Sequence, residues 1–401
     1  MGKELQQIVI VGGGTGGTLA ANLLASKLRK EISSGKASVT LVSESPRHVF
    51  QPANLEVAFH GARPEKYVRK QNTLLNRSIN FLNEKVEKIN IADRMLMTSS
   101  GNELRYDYLI LATGSIADPS LTPGLAEASL NFHVSPWESA LIWDALNRFE
   151  GGKVVLVIAG VPHKCPPAPT EAMFLLDDYF RKRGMRDKVE LTFLTPYPHA
   201  YPAKTIAEIV QPLMEKRGIN IVPFFNIESV DPAKKRVYSL EGEEVPYDLL
   251  LAIPPHRGAK VMTVSEIGDK DGWVPADKHL MTVTGYDDVF AIGDATNIPV
   301  SKSGVVAHIQ AGIVAHNIAA DITGGDSVLR YNGRINCPLE VGGGKALFVS
   351  STYTRPPKHM QPTRIRYLMK KSFASLYWMM LTGRLEPIFN IYFREKEDKA
   401  S

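Results

Sequence analysis

Ile8-Val9-Ile10-Val11-Gly12-Gly13-Gly14-Thr15-Gly16-Gly17 decides the fold. Four apolar, β-branched residues make a buried strand, and the glycines end it. Thr18-Leu19-Ala20-Ala21-Asn22-Leu23-Leu24 then reads as a helix. Gly12, Gly14 and Gly17 match G-x-G-x-x-G in the strand–turn–helix setting that gives the match its meaning. Gly12 permits the tight turn, Gly14 lets backbone approach a pyrophosphate, and Gly17 lets helix and strand pack closely. The phosphates of a dinucleotide would sit on the helix N-terminus, where free N–H groups and the dipole favour an anion.

Working outward, Ser38-Val39-Thr40-Leu41-Val42 is the second strand, and it ends at Ser43-Glu44. A dinucleotide fold wants an acid here for a ribose hydroxyl. Glu44 is the candidate, with the usual slot falling on Ser43 and a solvated loop acid as the alternative. Phe50-Gln51-Pro52-Ala53-Asn54 is a turn-rich segment suited to lie against a cofactor ring. Residues 79–110 alternate as strands, with a hairpin expected near Ser99-Ser100-Gly101-Asn102. They lead into Ala112-Thr113-Gly114, a second point of close backbone approach. Val289-Phe290-Ala291-Ile292-Gly293-Asp294-Ala295 repeats that pattern with an aspartate. Ser301-Lys302-Ser303-Gly304-Val305-Val306-Ala307 opens a helix expected to run through Ile318.

The 401 residues allow two or three domains and a sizeable core. A hydrophobic content of 44% and a charged content of 22% are those of a soluble globular chain. The net charge of +5 gives no argument for a nucleic-acid partner. The apolar start is a glycine-broken strand, so no signal peptide is expected, and no apolar run of spanning length is expected either.

The strand that opens the middle of the chain, Lys153-Val154-Val155-Leu156-Val157-Ile158-Ala159-Gly160, begins like the first. It leads into Val161-Pro162-His163-Lys164-Cys165-Pro166-Pro167-Ala168-Pro169-Thr170-Glu171-Ala172. One glycine remains where three are wanted, and four prolines remove N–H donors that would cradle phosphate. The pattern argues against a nicotinamide site. Cys165 stands there instead, beside Lys164 and ahead of a helix expected from Thr170 to Lys182, a setting that can lower a thiol pKa. The only other cysteine, Cys337, lies in Ile335-Asn336-Cys337-Pro338-Leu339, before a hairpin expected over Val341–Val349. Spacing alone leaves the two as either partners or unrelated core thiols.

Taken together, Gly12-x-Gly14-x-x-Gly17, Ala112-Thr113-Gly114 and Gly293-Asp294 resemble the two-dinucleotide-binding-domain flavoproteins from residue 8 to about 320. The resemblance implies an α/β fold with two Rossmann-like domains of FAD/NAD-binding type plus a C-terminal amphipathic membrane-associating segment. It implies an FAD domain from residues 1–115 and 275–330. A second domain without a nicotinamide loop, carrying Cys165, would span 140–274, and a C-terminal region with Cys337 would span 331–401. The implied FAD contacts are Gly12, Gly14, Gly17, Ser43, Glu44, Ala112, Thr113, Gly114, Gly293, Asp294, Lys302 and Gly304. The helix opening at Gly304 would point its N-terminus at the flavin pyrimidine ring.

Within that group, Cys165-Pro166-Pro167-Ala168-Pro169-Thr170-Glu171-Ala172 resembles sulfide:quinone oxidoreductases and the flavin subunit of flavocytochrome c sulfide dehydrogenases. There, cysteines at the positions of Cys165 and Cys337 flank the flavin as a redox pair. Some members have a third cysteine, and this chain has none, which implies non-covalent FAD and a two-thiol mechanism. The implied reaction is oxidation of sulfide to sulfur or polysulfide, with electrons passing to a membrane quinone. The alternatives are a type II NADH:quinone dehydrogenase, opposed by the broken second glycine loop, and a flavocytochrome-type enzyme with a haem acceptor. A flavin-binding redox sensor without turnover is an alternative from another class.

The tail from residue 363 interleaves Arg364, Arg366, Lys370, Lys371 and Arg384 with Tyr367, Leu368, Met369, Phe373, Leu376, Tyr377, Trp378, Met379, Met380 and Leu381. Pro387-Ile388-Phe389-Asn390-Ile391-Tyr392-Phe393 comes next. Such segments read as a peripheral, monotopic membrane anchor, with a dimer interface or core as alternatives. The resemblance also implies a quinone pocket, for which Phe348, Phe373 and Tyr377 are the candidate neighbours and Lys345 the candidate carbonyl contact. His163, His199 and Glu171 are candidates for proton transfer. Glu171 reads alternatively as a first-turn helix acid or a support for the Cys165 loop. No metal site is expected, and a homo-oligomer is left open.

Overall fold

The computed structural model describes residues 5–386, so the expected second tail segment, Pro387 to Phe393, lies outside the described residues. The elements that build the site are β1 (Gln6–Val11), α1 (Thr15–Lys27), β2 (Ala37–Val42), β3 (Ile79–Leu82), β4 (Tyr108–Leu111), β5 (Gly152–Ile158), α2 (Pro167–Lys182) and β6 (Val189–Leu194). They continue with β7 (Ile219–Val222), β8 (Leu249–Ile253), β9 (Val289–Ala291), α3 (Gly304–Thr323), β10 (Ile335–Glu340), β11 (Ala346–Ser351) and α4 (Arg364–Leu381).

Two parallel sheets carry the fold. The first runs β9-β4-β1-β2-β3, with Ile10 registered against Leu41 on one side and Ile110 on the other. Its strands are apolar on both faces, as a sheet covered on both sides requires. β9 reaches this sheet from far downstream, so the intervening chain is free to build the second sheet, β7-β6-β5-β8. There Leu156 is registered against Phe193 and Leu251.

α1 is buried from Gly16 to Ala25, which fits its nearly continuous apolar sequence. Small residues allow this. A Cβ at Gly16 would lie 3.1 Å from Ile292, and α1 packs on the Ala311 and Ala315 region of α3. α3 corrects one expectation. It is 20 residues long and apolar enough to match a membrane span by length and composition, yet it is a core helix packed on α1. It also runs five residues past Ile318, ending on a left-handed Gly324.

α2 starts three residues before the expected Thr170, at Pro167. Proline suits a first helical turn, where its missing N–H has no partner to lose. The β10–β11 hairpin turns through Gly342, Gly343 and Gly344, all at positive φ. Its Leu339, Val341, Leu347 and Val349 join the core around α2 and the second sheet. The hairpin expected at 99–102 forms as well, between the strands Met95–Thr98 and Glu103–Arg105.

Candidate active site

The first glycine turn is built by close approach. Gly12 has φ +110, and a Cβ there would lie 2.4 Å from the Ala112 carbonyl oxygen. A Cβ on Gly17 would lie 2.0 Å from the Gly12 carbonyl oxygen. Gly14 is different, since no protein atom lies within 4 Å of its Cβ position. It faces a cavity of about 610 Å³, whose wall includes Gly14, Ala112, Gly114, Gly293, Asp294, Lys302 and Gly304. Asp294 Oδ1 is buried there with no partner in the protein. Thr113 Oγ1 is likewise buried and unpartnered. Ser303 caps α3 by accepting from the Val306 N–H, so the α3 N-terminus opens on the cavity. Ser43 is buried against Gly13, and its hydroxyl donates to the Ser45 carbonyl at 3.2 Å. Glu44 is exposed and lies off the cavity wall, since the close Ser43–Gly13 contact fills the end of β2.

Both cysteines lie on this cavity, as free thiols. They meet one segment. The Cys165 N–H donates to the Lys302 carbonyl at 2.7 Å, and Cys337 Sγ lies 3.6 Å from Ser303 Oγ. Residues 302 and 303 lead directly into α3, so one stretch holds the Cys165 backbone and the Cys337 sulfur beside its N-terminus. Cys165 takes a left-handed conformation, φ +52, which is uncommon for a residue with a side chain and stores local strain. The lowered thiol pKa expected from Lys164 does not appear. Burial pushes Cys165 up, and negative charge at Cys337 and Glu171 pushes the same way. Lys164 instead donates to Gln51 Oε1 at 3.3 Å and to the His133 carbonyl at 3.1 Å. Burial pushes Cys337 up as well, so both thiols are held protonated.

The opposite wall comes from α4 and the segment around Phe50. Phe373, Tyr377 and Trp378 line it, with Phe50 and Tyr67. The rings of Phe50 and Tyr377 lie 4.2 Å apart, a packing contact that fixes the tyrosine. The Tyr377 hydroxyl accepts from Thr15 Oγ1 at 2.8 Å and donates to His48 Nε2 at 2.7 Å. His48 Nδ1–H donates to the Gly13 carbonyl at 2.9 Å, and burial lowers its pKa to about 4, so it is neutral. One chain of hydrogen bonds therefore joins α4 to the glycine turn.

Lys370, one turn before Phe373, bonds Glu171 Oε1 and, at 3.0 Å, Glu340 Oε2. The Glu340 N–H donates to Glu171 Oε2 at 3.2 Å. Burial holds Glu171 above its ordinary pKa although Lys370 pulls the other way. Lys370 is pushed up by the two carboxylates despite its burial. Glu171 is therefore not a first-turn acid. It sits in the second turn of α2 and ties that helix to β10 and α4.

Three further expectations are corrected. Lys345 is exposed in the β10–β11 turn, away from the cavity wall, because that turn docks on α2, with the Gly343 N–H donating to Asp178 Oδ2 at 2.7 Å. Phe348, paired with Pro338, is off the wall, since Pro338 supplies that part of it. His199 is half-buried and also off the wall. His163 is buried beside His133, which does line the cavity. Sequence reading missed Lys370 as a site residue, along with Glu340, His133 and His256. For Lys370 a signal existed: with Phe373 and Tyr377 it recurs at spacings of three and four, one face of a helix.

A family model described as pyridine nucleotide-disulphide oxidoreductase matches residues 6–315. The chain belongs to that family. Like other pyridine nucleotide-disulphide oxidoreductases it is an FAD protein, and its residues fit that cofactor. The open Gly14 backbone at a helix N-terminus suits a pyrophosphate, and the unpartnered Asp294 carboxylate oxygen suits a hydroxyl donor. The chain is 29% identical to the mitochondrial sulfide:quinone oxidoreductase of Mus musculus, over 95% of this chain and 87% of that one. It is 27% identical to the sulfide-quinone reductase of Aquifex aeolicus, over 96% and 93%. The crystal structure of the Aquifex sulfide:quinone oxidoreductase superposes with a TM-score of 0.85 at 23% identity, covering 97% of this chain and 96% of that one.

Proposed function

We propose that this chain is a sulfide:quinone oxidoreductase, using Cys165 and Cys337 as its redox pair and FAD as its cofactor. The observation that carries the reading is the convergence of both cysteines on residues 302–303, Cys165 through its backbone N–H and Cys337 through its sulfur, on the wall of the cavity that fits FAD. The likeness to sulfide:quinone oxidoreductases over nearly the full chain supports it.

FAD, when bound, supplies the two-electron acceptor for the thiols and the donor for a quinone. Gly12, Gly14, Gly17, Ala112, Gly114, Asp294 and Gly304 would hold it. Ser43 and Lys302 border the same region. The protein's own work divides between two walls. On the cysteine wall, sulfide sulfur bonds to one cysteine as the Cys165–Cys337 bond breaks, leaving a persulfide on one residue and a thiol on the other. Cys337 is buried, and Cys165 is half-buried on the cavity wall, within reach of an entering sulfide. On the α4 wall, Phe50, Tyr67, Phe373 and Trp378 offer flat apolar surface to a quinone ring. Lys370 is the cation at its edge, held by Glu171 and Glu340.

The outer face of α4 supports peripheral membrane contact. Ile365, Leu368 and Met379 are 71, 62 and 51% exposed, beside the exposed Arg364. Apolar residues with basic flanks suit a lipid interface, and a quinone would enter from it. Three segments are the working units: an FAD unit from 1–115 and 275–330, a second unit from 140–274, and a C-terminal unit from 331 on.

The test is anaerobic bleaching of the flavin band. Sulfide should bleach it, and a soluble quinone should restore it. Bleaching by NADH and not by sulfide would overturn the reading in favour of a type II dehydrogenase.

A further inference from the structure

Behind Cys165 lies a group of titratable side chains that the proposed sulfur chemistry leaves unused. His133, His163 and His256 are all more than nine-tenths buried. Their ring centroids are 5.5 Å apart for His133–His256 and 6.4 Å for the other two pairs. Three separate chain segments bring them together, and His133 is the member on the cavity wall.

Each ring spends one nitrogen on a backbone carbonyl. His133 Nε2 and His163 Nδ1 both lie 3.0 Å from the Lys164 oxygen, and His256 Nδ1 lies 2.7 Å from the Pro254 oxygen. A carbonyl only accepts, so the proton of each neutral ring is on that nitrogen. The remaining three, His133 Nδ1, His163 Nε2 and His256 Nε2, are bare lone pairs. All three are buried and have no partner in the protein. Buried polar atoms are normally hydrogen-bonded, so the cluster calls for a hydrogen donor.

The surroundings narrow the donor. Lys164 and Lys302 press on the cluster electrostatically and disfavour a cation. An anion would meet three lone pairs. Among the described residues no group of His, Cys, Asp and Glu is arranged to hold a metal. A small neutral molecule carrying hydrogens fits the three lone pairs; water is one, and dihydrogen sulfide, the neutral form of the proposed substrate, is another.

We propose that His133, His163 and His256 receive sulfide in its neutral form, dihydrogen sulfide, and relay one of its protons to the departing cysteine. This rests on the sulfide-oxidising reading. In the step, the S–S bond between Cys165 and Cys337 breaks and a new S–S bond joins the sulfide sulfur to one of them. One hydrogen stays on that sulfur as the persulfide S–SH. The other passes through an imidazole nitrogen to the second cysteine, which leaves as a thiol. No electrons enter or leave, and no net charge appears in the interior. The groups facing the cluster are the Lys164 and Lys302 amines, with the Tyr197 ring 6.5 Å from the His163 ring and the Asp294 carboxyl near both lysines. Cys165 adjoins it along the chain, directly after Lys164, whose carbonyl two of the rings hold. Burial holds His163 at about 4 and His256 at about 3, with His133 also well below its ordinary value. Bases that weak pass a proton on rather than keep it. The thiols, pushed up by burial, are the receivers.

The experiment is stopped-flow flavin bleaching by sulfide against pH. In the unmodified protein the rate at fixed total sulfide should be highest below the first ionisation of dihydrogen sulfide and fall above it. His133→Gln, His163→Asn and His256→Asn each keep a donor for the same carbonyl. They should lose about tenfold or more on the acid side and little on the alkaline side, with FAD content and melting temperature unchanged. An unchanged pH profile in all three variants overturns the proposal. A second readout needs no turnover. In Cys337→Ser protein with 15N-labelled histidine, sulfide should shift these three imidazoles at acid pH. Shifts seen only at alkaline pH, or none, would overturn it. A parent protein that sulfide never bleaches defeats the functional reading instead, and the labelled histidines still report whether the neutral sulfide binds.

Discussion

The turn after β1 and the turn after β5 occupy the same place in two similar sheets. Each follows the central strands of a parallel sheet and feeds a helix. The first uses glycine to bring backbone close to backbone at Gly12 and Gly17, and leaves open space before Gly14. The second keeps one glycine, Gly160, whose Cβ position lies 2.9 Å from Pro255 and is therefore filled by protein. Its prolines carry no N–H to offer a phosphate, and its left-handed residue is a cysteine. Under the proposed function, the same architectural slot serves an anion in one half and a sulfur in the other. The difference lies in side chains that a strand-and-helix description would not register.

Removing the sulfur is the sharpest way to break the comparison. Cys165→Ser and Cys337→Ser should each cut sulfide-driven flavin reduction by about a thousandfold or more, with FAD retained because the glycine turn is untouched. Retained activity in either variant would mean that the second turn is only a variant loop. NADH should leave the flavin of the unmodified protein oxidised. Fast bleaching by NADH would make the two turns functionally alike.

Lys370 tests how the second half is tied to α4. Lys370→Met leaves Glu171 and Glu340 buried together without their cation. Breaking a buried ion pair costs about 3–5 kcal/mol. Urea unfolding at neutral pH should show a loss of that order, shrinking as acid protonates Glu171, whose pKa burial raises. Adding Glu171→Gln should restore most of it. If Lys370→Met alone is as stable as the parent, the triad is not a structural tie.

Within the first turn, two glycines separate fold from ligand. Gly12→Ala forces a side chain at φ +110 against the Ala112 carbonyl, at a cost of about 3 kcal/mol. Gly14→Ala meets no protein atom, so stability should hold while FAD is lost on dilution. Gly160→Ala in the other turn should do the reverse, lowering melting temperature with FAD still bound. Equal FAD loss in Gly14→Ala and Gly160→Ala would put a ligand at both turns.

The glycine turn and the second turn's cysteine were legible because backbone demands leave few residue choices. A turn at φ +110 under a carbonyl must be glycine, and a proline run cannot present N–H groups. Lys345 and Phe348 were misread for the opposite reason. Nothing in a hairpin sequence says which strand faces a cavity, and here Pro338 on β10 does. The raised thiol pKa was also invisible, since it comes first from burial, which only the fold creates, and then from Cys337, brought in from far along the chain. The histidine cluster needs three segments to meet, and each member alone reads as an ordinary loop or strand residue.

The smallest effect concerns Lys371, next to Lys370, which ties α4 to the Phe50 side of the cavity. It bonds Glu56, which also accepts from His60 at 3.0 Å. Burial raises the Glu56 pKa, but those two partners outweigh it and lower it from 4.5 to about 2. A carboxyl with a depressed folded pKa adds stability above its ordinary value and loses it as pH falls through the depressed one. The contribution should therefore be whole above about 4.5 and disappear toward about 2. Both side chains are partly exposed, so water and salt screen the pair to about 1 kcal/mol or less. Lys371→Gln should cost that amount at neutral pH and nothing near pH 2, with the gap closing in high salt. A penalty that persists in acid would mean that Lys371 holds α4 by packing its stem against Tyr367, and that charge contributes only at the Lys370 end of the helix.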